Sequence, residues 1–300
     1  MSTPRTLKKR VGVAGMGIMG SRMAANLVDK GFPTAVWNRT AEKCKPLAEK
    51  GARIASSPRE LAESSDVVIT CVADPNALGR VVFAPDGILH AARAGFRLID
   101  CSTVSPGLSR HIAEALESRG AAALEAPVTG SKMGAEKGTL LLMTGGKQEL
   151  HDELMPIMMA IGGKAIYCGP TGAASTVKLL GNTIISFMLE GLCESLVVAR
   201  KAGLPGEVVL EVVRAAGFAS PYYDFKGKAI LKRDFDTHFS IDLLHKDQTL
   251  MLNEAAALGT SMPGLAALRE VLQSARGQGW GQEDIAAVVK VLERSAGLSS

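Results

Sequence analysis

Lys178 and Asn182 stand four residues apart inside an apolar run, 171–201, that has no interior proline. That run reads as one helix of about thirty residues, and four residues is one turn, so the two side chains stack on the same side. An ammonium is costly to bury without a use. It either snorkels out near a helix end or does chemistry. An amine in an apolar setting gives up its proton more easily, which suits it to act on a carbonyl oxygen where charge develops. Asn182 would then orient the reacting molecule without changing charge. Leu179, Leu180, Ile184, Phe187, Met188, Gly191, Leu192, Leu196 and Ala199 form a broad apolar face that is expected to be mostly buried.

A second group of residues could hold a dinucleotide. Gly15-Met16-Gly17-Ile18-Met19-Gly20 follows the β-rich run Val11–Ala14 and opens a helical run, the setting in which G-x-G-x-x-G carries meaning. Gly15 permits the tight turn, Gly17 lets backbone approach a pyrophosphate, and Gly20 lets helix pack on strand. A plain glycine-rich turn is the competing reading. At the next strand end, Val36-Trp37-Asn38-Arg39-Thr40 has no carboxylate to hold a ribose 2′-hydroxyl; the first acid is Glu42. Arg39 can fork onto a 2′-phosphate, with Asn38 and Thr40 adding hydrogen bonds. The expected cofactor is therefore NADP (NADPH), against the alternative of an ordinary solvated arginine. Backbone at Val72 and Ala73 and the side chain of Thr103 end later strands and should line the same crevice. Thr129-Gly130 reads as a short flexible connector whose amides suit a carboxylate. On residue type alone, Lys246-Asp247 is an exposed ion pair on a helix, worth little.

The elements that must position these residues follow from pattern. Strands are expected at Val11–Ala14, Thr34–Trp37, Val67–Val72, Leu98–Cys101, Ala122–Glu125, Leu140–Thr144 and Ala165–Tyr167. Helices alternate with them at Ser21–Lys30, Ala41–Lys50, Pro58–Glu63, Ser109–Arg119 and Lys147–Ile161. This alternation implies βαβ units and a mostly parallel sheet with helices on both faces. After Gly169 only helical patterns follow, at 171–201, 206–215, 240–258, 264–276 and 282–293. The expectation is an α/β domain, 1–168, followed by an all-α domain, 169–300, built on the long linking helix.

Composition narrows the classes. With 47% hydrophobic and 21% charged residues the chain has ample core material for a soluble globular protein. A net charge of +4 with no basic block interleaved with aromatics gives no expectation of a nucleic-acid partner. Five scattered cysteines without C-x-x-C fit reduced cytoplasm, and the five histidines lack metal-ligand spacing. Lys8-Lys9-Arg10 before an apolar run imitates a signal peptide, but four glycines favour strand and turn. No other run is expected to reach the length of a membrane span.

Six motifs together resemble the 3-hydroxyisobutyrate dehydrogenase-like (β-hydroxyacid dehydrogenase) family over nearly the whole chain: GMGIMGSRMAANL at 15–27, VWNRT at 36–40, DCSTVSP at 100–106, EAPVTGSKMGAEKGTLLLMTGG at 125–146, GAASTVKLLGN at 172–182 and HKD at 245–247. The resemblance implies a Rossmann domain plus a helical domain, assembled as a homodimer or homotetramer. It implies that Lys178 is the catalytic lysine and Asn182 its neighbour. Thr129, Gly130 and Ser131 fall on the loop that holds a substrate carboxylate, Thr103 on a cofactor contact, and Lys246 with Asp247 beside the nicotinamide and substrate.

Departures from the family's branches refine this. Ile185 stands where the related 6-phosphogluconate dehydrogenases carry a glutamate, so decarboxylation of a sugar phosphate is not expected. Lys178 departs from the aspartate or tyrosine of imine-reducing relatives. Gly-Ser-Lys at 130–132 with VWNRT looks more like the glyoxylate and succinic semialdehyde reductase branch. The expected activity is NADPH-dependent reduction of short aldehyde or keto acids to hydroxy acids. Oxidation of 3-hydroxyisobutyrate or another β-hydroxy acid is the alternative, and a non-enzymatic NADP-binding scaffold is the alternative of another class.

Overall fold

Short apolar runs such as Val-Gly-Val-Ala and Val-Val-Ile-Thr are buried on both faces, the mark of strands inside a parallel sheet. In the computed structural model, which describes residues 8–298, strands and helices alternate up to Gly169. They are β1 (Val11–Ala14), α1 (Ile18–Asp29), β2 (Thr34–Trp37), α2 (Lys45–Glu49), β3 (Arg53–Ile54), α3 (Pro58–Glu63), β4 (Val67–Thr70), α4 (Pro75–Phe83), β5 (Arg97–Asp100), α5 (Pro106–Glu117), β6 (Ala122–Glu125), β7 (Val128–Thr129), α6 (Ser131–Lys137), β8 (Leu140–Gly145), α7 (Gln148–Ile161) and β9 (Gly162–Gly169). Helices α8 (Ala173–Lys201), α9 (Gly206–Ala215), α10 (Pro221–Lys232), α11 (Ile241–Ala257), α12 (Pro263–Gly277) and α13 (Val289–Ser295) follow.

The chain divides into two compact units, one ending at Lys178 and the other starting at Leu179. In the first, strands β3-β2-β1-β4-β5-β6 are parallel and in the doubly wound Rossmann order. β8 runs antiparallel to β6 and β7, and β9 pairs parallel to β8. Alternate strand residues feed two cores. Val11, Val13, Val67, Ile69 and Ile99 pack with α1 and α7, while Val68 and Leu98 pack with Leu61, Leu78 and Ile112. The run that imitates a signal peptide folds as β1, the glycine turn and α1. In the second unit, Leu189, Leu192, Cys193 and Leu196 of α8 pack against Leu210, Ile230, Leu244 and Leu272. A buried Lys226–Asp284 ion pair is also found there.

Several expectations are corrected. Leu180, Ile184 and Phe187 of α8 are exposed, Ile184 by 62%, while the polar Asn182, Thr183 and Ser186 are buried. Apolar residues cover too much of the helix circumference for all of them to face one core. By length and composition α8 is also long and apolar enough to cross a membrane, with half of its apolar window buried. Past Lys178 it carries only Glu190 and Glu194 before Arg200; a core helix passes the same test. The expected connector at Thr129-Gly130 is instead the end of β7, registered on β8 as Val128↔Leu142 and Thr129↔Leu141, followed at once by α6. Helices α4 and α10 lie outside the expected helical runs, although Asp74-Pro75 and Ser220-Pro221 are cap-and-proline starts.

Candidate active site

Every candidate loop of the first unit leaves the sheet from one row. Trp37, Ala14, Thr70, Asp100, Glu125 and Gly145 are successive cross-strand neighbours at the ends of β2, β1, β4, β5, β6 and β8. Beyond them come Asn38–Thr40, the glycine turn, Val72-Ala73, Thr103 and the segment 126–131. The strand order reverses between β1 and β4, which is where such sheets open a ligand crevice.

The glycine turn is shaped by close approach. Gly15 has φ +106°, and a Cβ there would lie 2.2 Å from the Cys71 carbonyl oxygen. A Cβ on Gly20 would lie 1.9 Å from the Gly15 carbonyl oxygen, so α1 packs on the turn only with glycine present. Gly17 differs: a Cβ there meets nothing within 4 Å. It is the N-cap of α1, and no side chain caps the helix. The first amides of α1, at Ile18 and Met19, therefore remain available to an anion, as a dinucleotide pyrophosphate requires.

The end of β2 is tied to this turn by Asn38. Its side-chain oxygen accepts from the Met16 amide at 2.9 Å, and its nitrogen donates to the Thr40 carbonyl at 2.9 Å. Asn38 thus braces the two loops. A cavity of about 380 Å³ opens beside it, lined by Trp37, Asn38, Arg39, Ile54, Ser56 and Glu60. The acid in this lining is already engaged. Glu60 accepts from the Ser56 hydroxyl and amide and pairs with Arg53 at 3.3 Å, which together hold it below the ordinary carboxylate range. Arg39 is exposed and makes no hydrogen bond or ion pair among the described residues.

Val72 and Thr103 are half-buried and Ala73 exposed. The Val72 amide donates to the Ser102 hydroxyl at 3.0 Å. Asp100 accepts from the Thr70 hydroxyl at 2.7 Å and the Ser102 amide at 3.0 Å, which ties the ends of β4 and β5 together. Burial pushes Asp100 up to about 6, the Thr70 and Ser102 hydrogen bonds offset part of that rise, and the negative Glu125 adds to it. Thr129 and Gly130 are exposed, and Ser131 holds a left-handed φ of +61°. That conformation is strained for a residue other than glycine. Lys178, on α8, is half-buried.

In the helical unit the polar residues form their own cluster. Asp247 is 2% exposed. Its Oδ2 accepts from Asn182 Nδ2 at 2.6 Å, and its Oδ1 pairs with Lys246 Nζ at 2.8 Å. The reading of Lys246-Asp247 as an exposed ion pair is therefore corrected: Asp247 is buried, its Oδ2 joins α11 to α8, and its Oδ1 holds the neighbouring Lys246 of α11. Gln248 extends the cluster by donating to Ser186 at 3.0 Å. The signal for this cluster was the sequence Lys-Asp-Gln on one helix and Asn-x-x-x-Ser on another, but nothing local pairs them.

Comparison with known proteins identifies the family. The family model described as the NAD binding domain of 6-phosphogluconate dehydrogenase matches residues 10–169. The model described as NAD-binding of NADP-dependent 3-hydroxyisobutyrate dehydrogenase matches 172–292. Glyoxylate/succinic semialdehyde reductase 2 of Arabidopsis thaliana is 35% identical over 94% of this chain and 79% of its own. This chain belongs to the 3-hydroxyisobutyrate dehydrogenase-like (β-hydroxyacid dehydrogenase) family. It is an NAD(P)-dependent oxidoreductase of that type, with a Rossmann domain followed by a helical domain. The crystal structure of 3-hydroxyisobutyrate dehydrogenase from Salmonella typhimurium shares the fold with a TM-score of 0.86 and 28% identity, covering 95% of this chain and 100% of that one. The cytokine-like nuclear factor N-PAC of Anopheles gambiae is 36% identical over 93% of this chain but only 49% of its own length.

Proposed function

We propose that this member of the family is an NADPH-dependent reductase of short aldehyde or keto acids, such as glyoxylate and succinic semialdehyde. The observation that carries the reading is the single row of strand ends, from which the glycine turn, Arg39, Thr103 and the segment Thr129–Ser131 all depart. Similarity to the plant reductase supports the substrate class. Arg39 and the occupied Glu60 support NADP over NAD.

Bound NADPH supplies the hydride. The amides and hydroxyls of Thr129, Gly130 and Ser131 hold the substrate carboxylate, and Asn182 and Lys246 orient the substrate. Lys178 gives its proton to the oxygen as charge develops there, a role that positioned acids fill with about 10²–10⁴-fold in rate. The same residues serve the reverse oxidation of a β-hydroxy acid. We also propose assembly as a homodimer or homotetramer, in which the exposed Leu180, Ile184, Phe187 and Val198 of α8 are covered by a second copy.

Following NADPH absorbance with a panel of oxo acids tests the assignment, and no turnover of any member rejects it. On a turned-over substrate, Arg39→Glu should lower kcat/KM for NADPH about 10–100-fold, a charge-assisted phosphate contact, while leaving NADH nearly unchanged. Equal losses with both cofactors would place Arg39 elsewhere.

A further inference from the structure

One buried acid of the row has no role in the chemistry above. Glu125 ends β6, immediately before the segment 126–131, and is 3% exposed. Its Oε1 accepts from the Gly172 amide at 2.7 Å and the Ala174 amide at 2.8 Å. Its Oε2 accepts from the Ser175 amide at 3.3 Å and from the Ser175 hydroxyl. The Ser175 hydroxyl is in turn 3.0 Å from that of Ser109 on α5. Four donors therefore converge on one carboxylate at the N-terminus of α8, where the backbone dipole also favours negative charge.

The site is made to admit this group. Gly145 faces Glu125 across the ladder, and a Cβ there would lie 2.2 Å from Oε1. Any side chain at 145 would evict the carboxylate from its place. On the helix side, Ala174 and Ser175 precede Lys178 by four and three residues, so they lie one turn below it on the same face.

We infer that Glu125 is a positioning residue: it locks the start of α8, and with it the Lys178 amine, to the root of the segment that holds the substrate carboxylate. The inference rests on the reading of Lys178 as proton donor. Its physical content is register. The distance between the carboxylate-holding amides and the amine is set by one short strand end, one side chain and one helical turn. A misplacement of about 1 Å in such an arrangement can cost about 10²-fold in rate. Glutamine cannot replace Glu125, because an NH₂ group in place of either oxygen would face N–H donors rather than accept from them.

A rate cycle with Lys178→Ala tests this. Glu125→Gln should lower kcat about 10–100-fold while the Kd for NADPH stays within roughly two-fold. Placed on Lys178→Ala, the same change should lower the residual single-turnover rate by less than about two-fold, because the group it positions is gone. Ser175→Ala, a milder change that removes one of the four donors, should show the same pattern at about 3–10-fold and carries the test if Glu125→Gln does not fold. The inference is overturned if folded variants keep the wild-type kcat, or if Glu125→Gln slows both backgrounds equally. A Lys178→Ala enzyme that runs at the wild-type rate overturns it too, but by removing the proton-donor reading itself, and that result appears in the Lys178→Ala variant alone.

Discussion

Glu125 in the α/β unit and Asp247 in the helical unit are both buried acids, yet they are held by different partners. Glu125 accepts from three backbone amides and a hydroxyl at the start of α8. Asp247 faces the Lys246 ammonium and the Asn182 side-chain amide. An anion held by backbone is fixed by the geometry of the helix it caps, so losing it shifts register. An anion held by a cation balances charge, so losing it takes that carboxylate away from a half-buried ammonium. The first unit thus builds its site from backbone and glycine, the second from paired side chains.

Breaking the side-chain pair should have the largest effect on stability. Asp247→Ala leaves Lys246, whose side chain is 19% exposed, without its carboxylate, and should cost about 3–5 kcal/mol. Denaturant unfolding measures this; a loss below about 1 kcal/mol would make the pair an ordinary surface interaction.

Asp100, the cross-strand neighbour of Glu125, ties stability to pH. Its carboxyl is raised from 3.8 to about 6, chiefly by burial. The contribution favouring the fold is therefore complete below about pH 4 and is lost as pH rises through about 6. Above that, ionised Asp100 costs the fold about 3 kcal/mol. Asp100→Asn keeps an oxygen for Thr70 and Ser102, so the stability of the variant relative to wild type should climb between pH 4 and 7. A difference that stays flat across that window would show that Asp100 ionises without penalty.

The smallest effect is expected at Ser131. Ser131→Gly relieves the left-handed φ of +61° and should raise stability by about 0.5–1 kcal/mol. Loss of the hydroxyl should at the same time raise KM for the oxo acid. If stability falls instead, the strain argument fails.

Much of the backbone-built unit was legible because its signals are local. Gly15-x-Gly17-x-x-Gly20 sits between a strand and a helix in the sequence itself, and β1, β2 and β6 were read with the observed ends. Short elements were lost: β3 and β7 have two residues each, and α6 has seven, too few for any period to register. The starts of α4 and α10 carried usable signals in Asp74-Pro75 and Ser220-Pro221. The buried acids were not legible as partners. Glu125 showed only as one acid in the apolar run Ala121–Val128, and its donors lie 47 to 50 residues later. Asp247 meets Asn182 across 65 residues. Burial of Asp247 reverses the sequence reading of its pair with Lys246, because no local pattern reports which helix covers that face.

The most direct measurement is the single-turnover rate of NADPH oxidation by Lys178→Ala with a substrate that the wild type reduces, alongside NADPH binding by the same protein. The account predicts a rate lower by about 10²–10⁴-fold with binding retained. A rate equal to the wild type, with NADPH bound equally well, would contradict it.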